Sequence, residues 1–150
     1  MKKHLLLLLS TLFLITSCAN SDGPYSESAD AREDIQQALV KSANEQKPTV
    51  IIFGANWCPD CRALNEHITA GPNAAQIASE YIVVKVNIGN FDTNLDISAD
   101  YGNPIQGGIP GAALLSPDGT LVYSTKPGEL ATARQSSEDG FYTWLQKHLS

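Results

Sequence analysis

The chain has 150 residues, of which 43% are hydrophobic and 17% are charged, and its formal net charge is −6. This length suits one domain with one core, and the acidic balance argues against binding to nucleic acid or to anionic lipid. Of the 3 cysteines, Cys58 and Cys61 lie in the predicted domain, which excludes a framework of several structural disulfides.

The first 17 residues have the pattern of a secretory signal peptide. A basic pair, Lys2-Lys3, precedes an apolar run and then small residues before Cys18. The apolar run is too short for a convincing transmembrane span. The sequence Ile15-Thr16-Ser17-Cys18 resembles a bacterial lipobox, which implies cleavage before Cys18 and attachment of a lipid to its thiol. Ordinary secretion, with Cys18 lost or left as a spare thiol, is the alternative.

Residues 18–30 are predicted to be the lipidated cysteine and a flexible tether. They are polar and turn-rich and show no periodicity. Removal of residues 1–17 takes away two of the 10 basic residues and none of the 16 acidic ones, which leaves a net charge of −8. Ala19 stands where an Asp is associated with inner-membrane retention in Gram-negative lipoproteins. The resemblance therefore favours the periplasmic side of the outer membrane over the inner membrane.

The predicted domain, residues 31–150, opens with a helix and a buried strand. Asp30 with Glu33 has the spacing of an N-terminal capping arrangement, and apolar positions recur at helical spacing up to about Gln46. Pro48 ends this helix. The run 49–53 is apolar on both faces, which is typical of a central strand covered by helices.

The strand leads into Asn56-Trp57-Cys58-Pro59-Asp60-Cys61, which is followed by a helical pattern to Thr69. Two cysteines three apart at the start of a helix lie on one face, so their sulfurs can close a short disulfide. At Cys58 the unsatisfied N–H groups and the helix dipole favour the thiolate, which is the nucleophilic form. Pro59 suits an early helical position because its fixed φ is favourable there. Cys61, one turn further, is expected to be shielded and to act as the resolving thiol.

Two short helices and a strand are predicted next. Asn73 and Asn94 are expected to cap helices that run to Glu80 and Tyr101, and the β-branched run 81–87 predicts a strand between them. The stretch 88–107 is longer than a minimal connection. It either shapes substrate choice near the catalytic face or is a solvated excursion.

A hairpin and a closing helix complete the predicted domain. Two apolar runs, 112–116 and 120–125, flank Pro117-Asp118-Gly119, which predicts the hairpin. A helix is expected to start at Ser136 or Ser137 and to end at Leu149. Its apolar positions are Phe141, Trp144 and Leu145, with Trp144 in the core.

The pattern Trp57-Cys58-x-x-Cys61 after a buried strand resembles the thioredoxin family, here with the variant Cys58-Pro59-Asp60-Cys61. A second motif, Gly108-Ile109-Pro110, matches the cis-proline loop of that family. The resemblance covers about residues 31–149. It implies an α/β thioredoxin-like fold, with a central mixed β-sheet flanked by α-helices. It also implies that Ile109 and Pro110 offer backbone groups to a substrate chain beside the cysteines.

The activity that this resemblance implies is thiol–disulfide exchange. Cys58 would attack a disulfide in a partner protein, and Cys61 would resolve the mixed disulfide. Trp57 is expected to shield the sulfurs, with Pro59 and Asp60 as further active-site support. Ile109 before the cis-proline resembles the reducing members of the family, which favours a reductase that needs no cofactor beyond the cysteine pair.

The chain departs from the family pattern at Ile52, where thioredoxins have a buried Asp. Lys85 matches the strand lysine of the family but lacks that acid partner. Proton transfer at Cys61 would then use water, Asp60 or Glu66. The helix dipole stabilises a carboxylate at position 60. The negative charge of that carboxylate, however, disfavours a nearby thiolate. A solvated acid at the helix start is the alternative interpretation of Asp60.

Two other functions use the same cysteines. Cys58 and Cys61 could hold copper as soft ligands in a metallochaperone, although only His67 and His148 remain as histidines beyond the leader. His67 points away from the cysteine face of its helix and is expected to be surface or partly buried. Zinc would need two more ligands at useful spacing, so no metal site is predicted. The pair could also be a disulfide staple in a redox-inert adaptor.

The expected partners follow from the envelope location and the implied activity. They are disulfide-bearing client proteins, a membrane thiol-electron donor by analogy with the family, and the membrane itself through the lipid on Cys18. No nucleic acid is expected to bind, and the chain is expected to be a monomer.

Overall fold

The computed structural model describes residues 23–149. The predicted signal peptide and the lipidation of Cys18 lie outside these residues. Within 23–149, no helix has both the length and the apolar character needed to cross a membrane.

Four strands and five α-helices form one α/β unit over the described residues. In chain order they are α1 (Ala31–Glu45), β1 (Thr49–Gly54), α2 (Pro59–Thr69), α3 (Ala74–Glu80), β2 (Ile82–Asn87), α4 (Leu95–Asp100), β3 (Gly111–Leu115), β4 (Leu121–Ser124), a short 3-10 helix (Ala133–Gln135) and α5 (Gly140–Leu149). The strand order is β2-β1-β3-β4. β1 runs parallel to β2 and antiparallel to β3, which in turn pairs antiparallel with β4. This mixed sheet confirms the predicted fold.

Strand β1 is the middle of the molecule, and all of its residues are buried. Because it has a partner on each side, its backbone hydrogen bonds are satisfied within the sheet. α1 packs against β1 and β2, while α2 packs with α3, α5 and the 3-10 helix. The apolar run 49–53 thus forms the predicted central strand. The cysteine pair follows the carboxyl end of this strand.

Helix α1 begins where the capping pattern predicts. The side chain of Asp30 accepts hydrogen bonds from the backbone N–H groups of Arg32 and Glu33, each at 3.1 Å. The Glu33 carboxylate bonds to Gln37 on the next turn rather than closing a capping box. The helix ends at Gln46, which has a left-handed φ of 53°.

The described part of the predicted tether packs on the domain. Residues 23–30 form an N-terminal segment without helix or strand, but Tyr25 within it is fully buried. Its backbone N–H donates to Asn56 Oδ1 (2.9 Å), and Asn56 Nδ2 donates to the Tyr25 carbonyl (2.8 Å). One aromatic anchor therefore fixes a segment whose composition is otherwise that of a linker.

The closing helix differs from its prediction in two respects. α5 begins at Gly140, because the preceding residues form a turn in which the Gly140 N–H bonds to the Ser137 carbonyl (2.8 Å). Trp144 is partly buried at the edge of the core rather than inside it. Its indole N–H donates to Glu129 Oε1 (2.8 Å), a polar partner that requires a position near the surface.

The two asparagines expected to cap α3 and α4 occupy the capping positions without capping. Neither side chain bonds to its helix. The Asn73 amide instead donates to Asp139 (3.1 Å), and that of Asn94 donates to the Asn87 carbonyl (2.8 Å). Both amides thus donate to partners outside their own helices.

The stretch 88–107 is folded onto the domain, so its interpretation as a solvated excursion is wrong. Ile97 in α4 and Ile105 are buried. Arg32 of α1 bridges Asp96 (2.6 Å) and Asp100 (3.2 Å) of α4. The stretch therefore has buried anchors of its own and a fixed position.

Candidate active site

Cys58 occupies the N-cap position of α2 and is only 4% exposed. The backbone N–H of Cys61 donates to Cys58 Sγ at 3.2 Å. The sulfur therefore lies at the positive end of the helix dipole and accepts one backbone hydrogen bond. Pro59 is the first residue of the helix, as predicted, where no N–H is needed.

The bond between Ile109 and Pro110 is cis. The loop that contains it reaches the cysteine pair, because the Cys58 thiol donates to the Ile109 carbonyl oxygen at 3.7 Å. The structure thus places the predicted substrate-binding residues beside Cys58. Their contact with a substrate chain stays a prediction.

Cys61 lies one turn into α2 and is fully buried. Burial raises the pKa of the Cys61 thiol well above its usual range; the hydrogen bond with Cys58 and the negative charges of Cys58 and Asp60 raise it further. The backbone N–H of Ala55 opposes these effects by hydrogen bonding to the sulfur. Both cysteines are thiols in this structure. Cys61 is thus shielded, as expected of a resolving thiol, and its ionisation is opposed by its surroundings.

Asp60 is buried, so its interpretation as a solvated acid is wrong. Its Oδ1 accepts the backbone N–H of Arg134 (3.0 Å) and pairs with Arg134 Nε (3.2 Å). The carboxylate thereby joins the first turn of α2 to the 3-10 helix. Its role as a proton acceptor for Cys61 stays a prediction.

Trp57 is 52% exposed. Its indole N–H donates to the Gly89 carbonyl (2.8 Å), and its ring contacts Phe91 at a centroid distance of 6.2 Å. These contacts connect Trp57 to the start of the stretch 88–107. Its expected role as a shield over the sulfurs stays a prediction.

Ile52, which stands where the family has a buried acid, is fully buried in β1. Lys85, its neighbour on β2, donates its ammonium to Asn65 Oδ1 on α2, and burial lowers the pKa of Lys85. Asn65 is therefore a neutral partner that sequence reasoning missed. Glu66, the other predicted proton acceptor, is exposed.

Tyr25 is the site residue that sequence reasoning missed altogether. Its side chain is fully buried beside the end of β1. Burial, followed by the negative charges of Cys61 and Cys58, raises the pKa of Tyr25 well above its usual range. The only signals in the sequence are one aromatic residue in a polar segment and a glycine, Gly54, at the end of the central strand.

Neither histidine of the described part of the chain is grouped with the two cysteines. His67 on α2 is partly buried, as expected, and His148 Nδ1 lies 2.9 Å from the Trp144 carbonyl oxygen. Within residues 23–149, no three His, Cys, Asp or Glu side chains are grouped so that they could hold a metal ion.

An open groove of about 610 Å³ lies beside Trp57. Its walls come from the N-terminal segment, the turn before α2 and the start of the stretch 88–107. The lining residues are Glu27, Asn56, Trp57, Asn87, Gly89, Asn90 and Thr93. The stretch 88–107 therefore contributes to the groove beside Trp57.

Comparison with known proteins agrees with this geometry. A family model described as thioredoxin-like matches residues 30–117. The solved structure of a disulphide isomerase from Xylella fastidiosa Temecula1 is 46% identical and has a TM-score of 0.81; the match covers 85% of this chain and 97% of that one.

More distant structures share the fold alone. The reduced C-terminal domain of DsbD from Neisseria meningitidis is 19% identical, with a TM-score of 0.56 and coverage of 78% of this chain and 96% of that one. Thioredoxin NaTrxh from Nicotiana alata is 20% identical, with a TM-score of 0.52 and coverage of 80% and 87%. No curated protein matches the chain.

Proposed function

The chain belongs to the thioredoxin-like family, and from this premise we propose that it reduces protein disulfides through the Cys58–Cys61 couple. The observation that carries the proposal is the surroundings of Cys58 Sγ. The sulfur lies at a helix N-terminus, accepts an N–H at 3.2 Å, and is 3.7 Å from the carbonyl oxygen that precedes a cis-proline.

The reaction takes two displacements. The Cys58 thiolate attacks one sulfur of the client disulfide, so that a bond forms between Cys58 and the client while the second client sulfur leaves as a thiolate and takes up a proton. Cys61 then attacks Cys58 Sγ and releases the first client sulfur. The client gains two electrons and two protons, and the couple ends as a Cys58–Cys61 disulfide.

The reducing direction rests on Ile109, which precedes the cis-proline as in the reducing members of the family. The 46% identical protein is called a disulphide isomerase, and that name supports isomerisation as a second candidate function. Isomerisation would begin with the same attack by Cys58. It differs at the next step, because a client thiol and not Cys61 would displace Cys58.

The location and partners belong to the same proposal. The lipobox pattern at Cys18 supports export and a lipid anchor on the periplasmic side, with the outer membrane favoured over the inner. A reductase outside the cytoplasm needs a source of electrons, so we propose a membrane thiol-transfer protein as the donor. The clients are proteins with accessible disulfides, and the chain acts as a monomer.

Two cysteine variants test the reaction. Reduced Cys61→Ser should accumulate a covalent mixed disulfide with a disulfide-bonded client such as insulin, whereas Cys58→Ser should neither reduce the client nor form the adduct. Cys18→Ser is the matched control and should reduce insulin like the unmodified chain. Insulin reduction by Cys58→Ser at the normal rate would overturn the proposal.

The same variants separate reduction from isomerisation. A reductase loses its turnover when Cys61 is replaced, because the mixed disulfide is no longer resolved. An isomerase retains its ability to rearrange a scrambled disulfide-bonded substrate with Cys58 alone. Retention of that activity by Cys61→Ser would favour the second candidate.

A further inference from the structure

Two aromatic side chains are exposed to solvent beside the proposed nucleophile. Trp57 directly precedes Cys58 in the chain. Phe91 is 43% exposed, and its ring contacts the Trp57 ring at a centroid distance of 6.2 Å, with the two planes at 55°. Apolar side chains that stay exposed next to each other on a folded domain mark a contact site for a partner. This pair begins one residue before the sulfur that attacks the client.

The loop that carries Phe91 is held by hydrogen bonds on both sides of the ring. The Gly89 carbonyl, two residues before Phe91, accepts the Trp57 indole N–H at 2.8 Å. The Asp92 N–H, directly after Phe91, donates to the Ile88 carbonyl at 3.2 Å. The backbone around the exposed ring is therefore fixed, and its position next to Trp57 is fixed with it.

The backbone of Phe91 has a left-handed φ of 63°. This conformation disfavours a bulky side chain, whereas glycine and asparagine adopt it more readily. The same loop uses these two residue types at its other left-handed positions, Gly89 (57°) and Asn94 (55°). Backbone strain of this kind clusters at functional sites. Since the strained residue is also exposed, its ring serves a contact outside the core.

The groove of about 610 Å³ beside Trp57 passes along the same loop. Asn90 and Thr93, which lie on either side of Phe91 in the chain, are among its lining residues. In a mixed disulfide with Cys58, the Cα of the client cysteine lies about 6 Å from that of Cys58. An extended client chain advances about 3.5 Å per residue, so residues two or three positions from the client cysteine reach the aromatic pair.

Glu27 supplies a negative charge to the groove. Its side chain lines the groove and is exposed, and among residues 23–149 it takes part in no ion pair. The groove lining contains no lysine or arginine. The guanidinium of Arg62 reaches the neighbouring turn, where it donates to the Asn56 carbonyl at 2.9 Å. A basic client residue in the groove would therefore meet an unpaired carboxylate.

We propose that Trp57 and Phe91 form a docking surface for the client chain, on which an apolar side chain two or three residues from the reacting cysteine packs. A basic residue next to that side chain faces Glu27. Phe91 is thus a specificity-determining residue. The inference rests on the proposed thiol–disulfide exchange and names its client class, an extended segment that is apolar and basic close to its disulfide.

Peptides activated as mixed disulfides with 2-thiopyridine test the proposal. The Cys58 thiolate attacks the peptide sulfur, so that a Cys58–peptide bond forms while the pyridine thiolate leaves, takes up a proton and is followed by its absorbance. In a Gly-Ser background, one Phe is moved through the three positions on either side of the cysteine. Hydroxyethyl disulfide, which is too small to reach Phe91, measures the reactivity of the cysteine pair alone.

A Phe two or three positions from the cysteine should raise the second-order rate constant about three- to tenfold over the Gly-Ser peptide, as expected for one aromatic contact. Phe91→Asn should abolish this gain, and Phe91→Tyr, which keeps a ring, should retain it. The rate with hydroxyethyl disulfide should not change in either variant. Val40→Asn, which removes an exposed apolar side chain of α1, is the matched control and should keep the gain.

A stability measurement separates docking from packing. Phe91→Asn should unfold at the same urea concentration as the unmodified protein or at a higher one, because Asn tolerates the left-handed backbone better than Phe. A residue that costs stability and provides client selectivity is retained for binding. A lower urea midpoint in Phe91→Asn would make Phe91 a packing residue and contradict this assignment.

The charge of the groove is tested with a Lys placed next to the Phe. This Lys should raise the rate about twofold at low salt, and added salt should remove the gain by screening. Glu27→Gln should remove it as well. A gain that persists at high salt or in Glu27→Gln would overturn the assigned role of Glu27.

The remaining outcomes contradict the proposal in distinguishable ways. If no Phe position raises the rate, or if the gain survives Phe91→Asn, the docking surface is overturned while reduction of hydroxyethyl disulfide leaves the proposed function intact. If the unmodified protein does not reduce hydroxyethyl disulfide, both fail together. In a Cys18→Ser background, binding to phosphatidylethanolamine–phosphatidylglycerol vesicles or self-association that Phe91→Asn abolishes would assign the aromatic pair to a bilayer or to a second copy.

Discussion

Cys58 and Cys61 lie one helical turn apart, are both buried, and differ in their contacts. The Cys58 sulfur accepts an N–H and faces the cis-proline loop. Burial raises the pKa of Cys61. At the scale of single residues, the site therefore separates a sulfur beside the cis-proline loop from a sulfur whose ionisation is opposed by its surroundings.

Replacement of Asp60 by Asn should lower the pKa of Cys61. The Asn side chain can still accept the Arg134 N–H, but it removes a negative charge that raises the pKa of Cys61. We expect the pKa of Cys61 to fall by up to about one unit. Thiol alkylation against pH measures the change.

Glu66→Gln is the control for that experiment, since Glu66 is exposed on the same helix. It removes the same charge at a site open to solvent, where screening is strong. An equal shift in both variants, or no shift in Asp60→Asn, would contradict the assigned effect of Asp60.

The reduced protein should lose stability in alkaline solution. Burial raises the pKa of Cys61 above its value in the unfolded chain, so the folded state holds this proton more tightly. That contribution is complete below the ordinary thiol pKa of about 8.5 and is lost as the pH rises above it. Urea unfolding of the dithiol form at about pH 7 and about pH 10 measures the loss. Cys61→Ala should show a smaller decrease, and an equal decrease would contradict this explanation.

At the scale of elements, the sequence predicted helices, strands and turns best where the residues that determine them are neighbours in the chain. The cap of α1, the buried run of β1 and the Pro-Asp-Gly turn of the hairpin each involve a few neighbouring residues. The start of α5 was misplaced because an exposed turn precedes Gly140. No local pattern could show that Asn94 would bond to the strand before it instead of capping its helix.

The residues of the candidate site also divide into short motifs, which could be predicted, and contacts between distant positions, which could not. The cysteine pair and the cis-proline were predictable because both are short motifs. Tyr25 bonds to Asn56, 31 residues further along the chain. Asp60 bonds to Arg134, 74 residues further along. Such contacts depend on how elements pack, which composition and periodicity do not encode.

The fit between the N-terminal segment and β1 predicts a large effect of Gly54→Ala. The added Cβ would overlap the Tyr25 ring at 2.5 Å, and overpacking of a buried site costs about 1–3 kcal/mol. We expect that loss in the free energy of unfolding, measured by urea titration.

Gly140→Ala is the matched control for Gly54→Ala. At the start of α5, its added Cβ would meet the Ser137 side chain at 3.3 Å, and Ala is favoured over Gly in a helix. Its stability should stay the same or rise slightly. Equal unfolding free energies for the two variants would show that Tyr25 does not occupy the space beside Gly54.

At the scale of the whole molecule, the buried Tyr25 shortens the predicted connection to the membrane. Cys18 lies seven residues before Tyr25, and seven extended residues span at most about 25 Å. If Cys18 carries a lipid, Tyr25 lies within about that distance of the lipid-bearing residue. Clients and the electron donor would then be reached near the membrane.

Lipidation itself predicts a simple fractionation result. The full chain expressed in a Gram-negative host should sediment with membranes and carry the mass of a lipid on Cys18, whereas Cys18→Ser should not be lipidated. Cys58→Ser is the control and should remain in the membrane fraction. Recovery of the unmodified chain without added lipid mass would contradict the predicted anchor.

The central claim is that Cys58 and Cys61 form a reducing dithiol–disulfide couple. It is tested most directly by the redox potential of residues 19–150, titrated against a thiol buffer with alkylation as the readout. We predict a reversible two-electron transition near the reducing end of the family range, at roughly −270 mV. A potential near about −120 mV would make the protein an oxidant, and the absence of any reversible transition would contradict thiol–disulfide exchange altogether.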